Sequence, residues 1–139
     1  DPHRVAYDDV VADVVNKTTA LAERAVAIGV RRDGILIDPT HDFGKNTWHS
    51  LQLTRSLGEL VGTGWPVLVS MSRKDFVGET LNIPVEERLP GTLAVPAVAA
   101  WWGVRVFRAH DVIATRQVLD MVAAIRGSMP PRAPRRGLA

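Results

Sequence analysis

The chain of 139 residues is the length of one domain, and 46% hydrophobic with 23% charged residues is an ordinary globular balance. Having no cysteine, it has no disulfide scaffold, thiol nucleophile or cysteine-ligated zinc, so any chemistry falls to Asp, Lys, Arg, His or Ser. The net charge of +2 is uneven: setting aside Arg132, Arg135 and Arg136 leaves 14 basic against 15 acidic residues, or −1, which is no nucleic-acid surface, and no apolar run reaches the ~18 residues of a membrane span.

In chain order, residues 7–28 place Val10, Val11, Val14, Val15, Thr18, Leu21, Ala22 and Ala25 at three-to-four spacing, which predicts a helix that Gly29 ends. Residues 34–39, Gly-Ile-Leu-Ile-Asp-Pro, form a short apolar run stopped by an acid and a proline, the pattern of a strand buried on both faces. Asn46 and Thr47 can cap a second helix carrying Leu51, Leu53, Leu57, Leu60 and Val61, with Gly62 and Gly64 available to stop it. A second buried strand covers 66–72 and runs into Arg73-Lys74. The next helix is expected near Thr92 as N-cap, with Pro96 in or beside the first turn. A third strand covers 104–110, and a last helix runs over about 114–125 through Val118, Leu119, Val122 and Ile125. Residues 129–139, with Pro130, Pro131, Pro134 and three arginines, read as a flexible tail that follows one folded unit over 1–128.

Buried strands alternating with amphipathic helices imply parallel strands with right-handed crossovers, so all strand exits share one rim. Period-two geometry then sets Leu36 with Asp38, Ser72 with Lys74 and Arg108 with His110 on common strand faces. Functional groups at such exits mark both (β/α)8 barrels and doubly wound sheets, and composition does not choose between them. Taken singly, Asp38 could cap a turn, Arg73-Lys74 could be a solvated pair, and Arg108 and His110 could pair with Asp111. Their joint appearance at successive exits points to a site. His41, Asp42 and His49 beside Asp38 match no established metal-ligand spacing. Trp101 and Trp102, adjacent on a helix, cannot both face one core and make a plausible subunit contact.

Motifs select the barrel. Asp38-Pro39 with Phe43-Gly44-Lys45 resembles the Asp-Pro-Gly-x-Gly-Phe-Gly-Lys segment of dihydropteroate synthases. Ser72-Arg73-Lys74 with Phe76 and Gly78 resembles their Ser-Arg-Lys-x-Phe segment, and Arg108-Ala109-His110-Asp111 their Arg-Val-His-Asp ending. Tyr7, Asp9-Val10-Val11, Glu87-Arg88-Leu89 and Gly91-Thr92 extend the likeness over nearly everything but the tail. The resemblance implies an α/β fold, the C-terminal part of a TIM-type (β/α)8 barrel with three βα units and a preceding helix. It also implies a cytoplasmic, magnesium-assisted, homodimeric transferase that joins p-aminobenzoate to 6-hydroxymethyl-7,8-dihydropterin pyrophosphate.

By the same resemblance Asp38 holds the pterin, while Lys74 contacts it and shapes the aminobenzoate pocket that Phe43 borders. Arg108 and His110 receive the pyrophosphate, and Ser72 and Arg73 complete the substrate-binding segment. The chemistry agrees: one carboxylate accepts two parallel donors of a pterin edge, and a guanidinium forks onto two phosphate oxygens as negative charge builds on the leaving group. No protein nucleophile is then needed. The magnesium ligand is expected in the N-terminal strands, which this chain does not supply, so neither stable folding nor catalysis is expected of the three units alone. Thr40, His41 and Asp42 stand where Gly-apolar-Gly is expected, and Ser70 where a glycine is expected. Side chains there narrow the pterin slot or alter its aminobenzoate side. A second, synthase-like group in actinobacteria carries such an Asp-Pro-x-His-Asp-Phe-Gly-Lys-Asn stretch and is suspected of lacking activity, so the alternative to a synthase is an inactive pterin- or phosphate-binding partner subunit.

Overall fold

The computed structural model describes residues 5–70 and 74–138, so the expectations for Ser72 and Arg73 lie outside the described residues. The first helix, α1, spans Val10–Ala27; the Asp9 carboxylate caps it by accepting from the Ala12 amide at 3.0 Å. It stops as the sequence predicts: Gly29 takes φ 106, its amide donates to the Val26 carbonyl, and the Val30 amide donates to Ala25. This is a Schellman ending, in which the left-handed residue has no Cβ to strain.

After a short turn at Arg32–Gly34, the expected first strand is reduced to a single parallel bridge between Ile37 and Val67. The Ile37 amide donates to the Pro66 carbonyl and the Leu68 amide to the Ile37 carbonyl, each at 2.9 Å. Helices α2 (Thr47–Arg55) and α3 (Leu57–Val61) divide the expected second helix at Ser56, whose amide is shared between the Gln52 and Leu53 carbonyls. Strand β1 (Leu68–Ser70) pairs in parallel with β2 (Val106–Arg108), with Ser70 opposite Arg108. The lateral order is therefore Ile37, β1, β2, and the three exits share a rim as predicted.

The first strand and β2 are shorter than expected, each having one neighbour among the described residues. Lys74 and His110 stand beyond the strand ends, where strand periodicity no longer governs which way they face.

Two helices depart from expectation. Helix α4 (Asp75–Leu81) has no counterpart in the sequence reading and closes on Asn82 in the left-handed region at φ 52. Helix α5 spans Leu89–Trp101, so Thr92 is inside it and is not its N-cap. Pro90, in the first turn, goes with a helix start four residues earlier than expected, the N-cap being Arg88. Pro96 falls in the interior, where it removes one ladder hydrogen bond, and its burial against the core offsets that loss. Gly91, too, lies within α5 and lets it approach α4: a Cβ there would come 2.7 Å from Leu81 and 2.8 Å from Val77. The last helix, α6, spans Val112–Ile125 and is capped by Asp111, whose carboxylate accepts from the Ala114 amide at 2.9 Å.

The core gathers Val67 and Val69 of the sheet with Leu53, Leu57, Leu60, Phe76, Val95, Ala99 and Val104. Both flanks stay apolar and open. Leu21, expected in the core, is 64% exposed, and Leu36, expected in a doubly buried strand, is 46% exposed, as no further strand-helix unit packs beside them. On the other flank α6 leaves Ile113, Met121 and Ile125 exposed. Trp65 is buried beneath the Arg32 guanidinium, whereas Trp48, Trp101 and Trp102 are exposed. The segment after α6 is exposed except at Met129, and Arg132 reaches back to Asp120 at 2.7 Å. No helix among the described residues is long and apolar enough to cross a membrane.

Candidate functional site

Asp38 follows Ile37 at the first exit, is half-buried, and accepts from the Thr40 amide through Oδ1 at 2.7 Å. This is the turn-capping role open to an acid at that position. Its Oδ2 carries no hydrogen bond among the described residues, which leaves one acceptor oxygen at the rim.

The loop from 40 to 46 is where this sequence departs from the synthase pattern, and its backbone keeps the shape that glycines would give. Thr40 at φ 54 and Asp42 at φ 68 both occupy the left-handed region. Such positions cost a residue with a Cβ about 1–3 kcal/mol and persist only where the surroundings hold them. Here side chains do the holding. Lys45 Nζ donates to the Thr40 carbonyl at 3.1 Å, to its hydroxyl at 3.0 Å and to the Phe43 carbonyl at 3.0 Å. The Tyr7 hydroxyl donates to the Gly44 carbonyl at 2.7 Å. Ser50 Oγ accepts from the Asp42 amide and donates to Asp42 Oδ1, both at 3.1 Å, while Oδ2 accepts from the Phe76 amide at 3.3 Å. Asp42 thus supplies the first turn of α4 with the cap that Lys74, its own N-cap residue, does not provide.

His41 turns inward instead of toward the rim. Its side chain is fully buried, the ring stacks on Phe76 at 5.7 Å between centroids, and Nε2 lies 3.0 Å from Thr54 Oγ1. Thr54 already spends its proton on the Ser50 carbonyl at 2.8 Å, so Nε2 carries the hydrogen and donates it. Burial, together with nearby Lys45 and Lys74, pulls the imidazole down from 6.5 to about 3. His41 is a neutral core residue and contributes nothing to a metal site. His49 completes the α2 capping box with Asn46, and among the described residues no group of three His, Asp or Glu side chains is placed to hold a metal ion.

Lys74 sits at the exit of β1, half-buried; its ammonium donates to the His41 carbonyl at 3.2 Å and lies 4.4 Å from the centroid of the exposed Phe43 ring. Burial pushes the pKa of Lys45, on the same loop, below its usual range, against the pull of Asp13 and Asp38. At the third exit Arg108 and His110 are exposed, and Arg108 makes no hydrogen bond among the described residues. His110 lines a cavity of about 570 Å³ with Arg88, Thr92, Asp111 and Thr115. Asp111 caps α6 through Oδ1. The structure thus connects Asp38, Phe43 and Lys74 through the 40–45 loop, and places Arg108 and His110 on the exposed surface of the third exit, with His110 lining a cavity.

Sequence reasoning does not single out Ser50 or Arg88. Ser50 gives no signal, being one hydroxyl on a helix face. Arg88 has one in Gly78, where a Cβ would fall 2.3 Å from its guanidinium; that glycine lets Arg88 lie along α4 and reach Asp75 at 3.3 Å.

Residues 1–110 match the family described as pterin binding enzyme. The chain is 61% identical over 142 residues to the inactive dihydropteroate synthase 2 of Mycobacterium leprae, covering 99% of this chain and 49% of that protein. It is 38% identical over 118 residues to the dihydropteroate synthase of Escherichia coli, covering 85% of this chain and 42% of that protein. The crystal structure of the Yersinia pestis dihydropteroate synthase superposes with a TM-score of 0.85 at 39% identity, over 90% of this chain and 51% of that one. The chain spans about half the length of the relatives it matches. Family match and structural superposition agree, and the chain belongs to the pterin-binding enzymes as the C-terminal part of a dihydropteroate synthase-type barrel.

Proposed function

We infer that, within a barrel-length protein, this chain holds a pterin and its phosphate groups without completing dihydropteroate synthesis, as a binding or partner subunit of the folate pathway. The observation that carries this reading is the filled loop: Thr40, His41 and Asp42 replace a glycine-rich turn, and Phe43 rests on Lys74 at 4.4 Å. The 61% identity to a relative named as inactive supports it. In this reading the free oxygen of Asp38 accepts from the pterin edge, Lys74 donates to the same ring, and Arg108 with His110 binds phosphate oxygens. Ser72 and Arg73 belong to the same binding segment by motif. The folded unit is 1–128 and the tail 129–139 has no part in the site; a cytoplasmic homodimer with magnesium held by the other half of the barrel completes the proposal.

A second reading, the active synthase, is favoured by the retained Lys74, Arg108 and His110 and by the 38% identity to a named synthase. Pyrophosphate release separates the two. The barrel-length protein is given 6-hydroxymethyl-7,8-dihydropterin pyrophosphate, p-aminobenzoate and magnesium, and binding of the pterin is followed by calorimetry. The expected result is pterin binding, weakened at least tenfold by Lys74→Ala, with no pyrophosphate release. Release that disappears in Lys74→Ala establishes the synthase, and a folded protein that binds no pterin overturns both readings.

A further inference from the structure

Asp42 is bonded to two other elements of the fold at once. Its amide and Oδ1 engage Ser50 of α2, its Oδ2 engages the Phe76 amide of α4, and the next residue in the chain is Phe43. Ser50 is fully buried, so the anchor for Asp42 is part of the packed interior. From the far side Lys45 holds the carbonyls of Thr40 and Phe43, and Tyr7 holds that of Gly44. The loop has no slack: Phe43 is presented from a segment bonded at both ends, against a lysine that α4 and the His41 carbonyl fix in turn.

The spacing of that pair has a chemical consequence. A planar ring slipped between Phe43 and the Lys74 ammonium needs a van der Waals contact on each face, roughly 7 Å in all from two contacts of about 3.5 Å. The observed 4.4 Å from Nζ to the ring centroid leaves room for none. Asp38 and the outward side of Lys74 remain at the rim, where a heterocycle with a donor edge can be held without parting the pair.

We propose that Asp42 is a specificity-determining residue: by bracing Phe43 against Lys74 it confines the site to a single planar heterocycle and shuts out a second aromatic ring, such as an aryl amine. This rests on the pterin-binding reading above and names which of the two ligand rings the site refuses. It also places the defect of an inactive site in the entry of the second ring, leaving the first ring and the phosphate end intact.

The test saturates the barrel-length protein with 6-hydroxymethylpterin, which carries no leaving group and so cannot react, and then titrates p-aminobenzoate by calorimetry. The unchanged protein is expected to bind the pterin and to show no p-aminobenzoate binding at millimolar concentration. Asp42→Gly restores a residue suited to φ 68 but releases Ser50 and Phe76, and is expected to tighten p-aminobenzoate at least tenfold while changing pterin affinity less than threefold. Asp42→Asn, which keeps an acceptor oxygen and tolerates the left-handed region, should behave as the unchanged protein. Should Asp42→Gly fail to fold, Ser50→Ala loosens the same brace without adding bulk and is expected to gain at least threefold. Equal p-aminobenzoate binding by the unchanged protein and the loosened variant, or none by either, overturns the role of Asp42. Loss of pterin binding itself strikes the underlying reading and is seen in the first titration, before p-aminobenzoate is added.

Discussion

The first and last strand exits are built from similar material and finished in opposite ways. Both carry an acid, a histidine and a cation, Asp38, His41 and Lys45 in one, Asp111, His110 and Arg108 in the other. At the first exit the histidine is buried, the lysine is bonded to the loop's own carbonyls and Phe43 lies on Lys74. At the last exit the arginine and histidine stay exposed, the histidine lines a cavity of about 570 Å³, and the acid caps α6. Chemistry-bearing residues at a strand end are thus no measure of an open site; what decides is whether the backbone around them has already used their hydrogen bonds.

That contrast can be broken at its strongest point by Phe76→Ala. Phe76 is 2% exposed, carries the His41 ring and gives its amide to Asp42, so removing its side chain empties the floor of the closed exit. The barrel-length variant is expected to lose about 3–5 kcal/mol in urea unfolding; a loss below about 1 kcal/mol would mean that the loop stands without its floor.

Acid sharpens the contrast. Because burial holds His41 near 3 in place of 6.5, the unfolded chain takes up a proton below about pH 6.5 that the folded chain refuses. The stability contributed by neutral His41 is therefore complete above about pH 6.5 and is lost as pH falls toward 3, by at most about 1.4 kcal/mol per pH unit. His41→Gln keeps a donor for Thr54 without the titration, and is expected to flatten the dependence measured between about pH 6.5 and 4.5. Equal slopes in both proteins would remove His41 as the acid-sensitive group.

The smallest effect belongs to the open exit. Asp111→Ala removes the α6 cap and is expected to cost about 1 kcal/mol in urea unfolding, leaving the closed exit unaltered.

How much of this the sequence showed depended on the range of the interaction responsible. Helix α1 was legible at its end because its stop is a local glycine, and the Asn46 cap of α2 was legible because it too is local, whereas the Asp9 cap of α1 was not read and the helix starts at Val10, three residues after the expected start. Helix α4 was not: seven residues with a glycine inside carry too little periodicity, and its cap comes from Asp42, far away in the chain. The start of α5 was misplaced because Thr92 has the composition of a cap while Pro90, two residues earlier, sets the backbone. At the site, motifs pointed to Asp38, Phe43, Lys74, Arg108 and His110, which lie at or just beyond the exits of the parallel strands. The inward turn of His41 and the brace at Asp42 were invisible because each depends on a partner on another helix, Thr54, Ser50 or Phe76.

The uneven burial of the indoles has an optical consequence. Three of the four tryptophans, Trp48, Trp101 and Trp102, already meet solvent in the folded chain, and only Trp65 is enclosed, beneath the Arg32 guanidinium at 4.0 Å. Fluorescence from Trp48, 79% exposed, changes little when the chain opens, whereas Trp101 and Trp102, about half exposed, change in part. The largest red shift on loss of structure belongs to Trp65, which makes this residue the natural lamp for the segment where α3 hands the chain to the sheet.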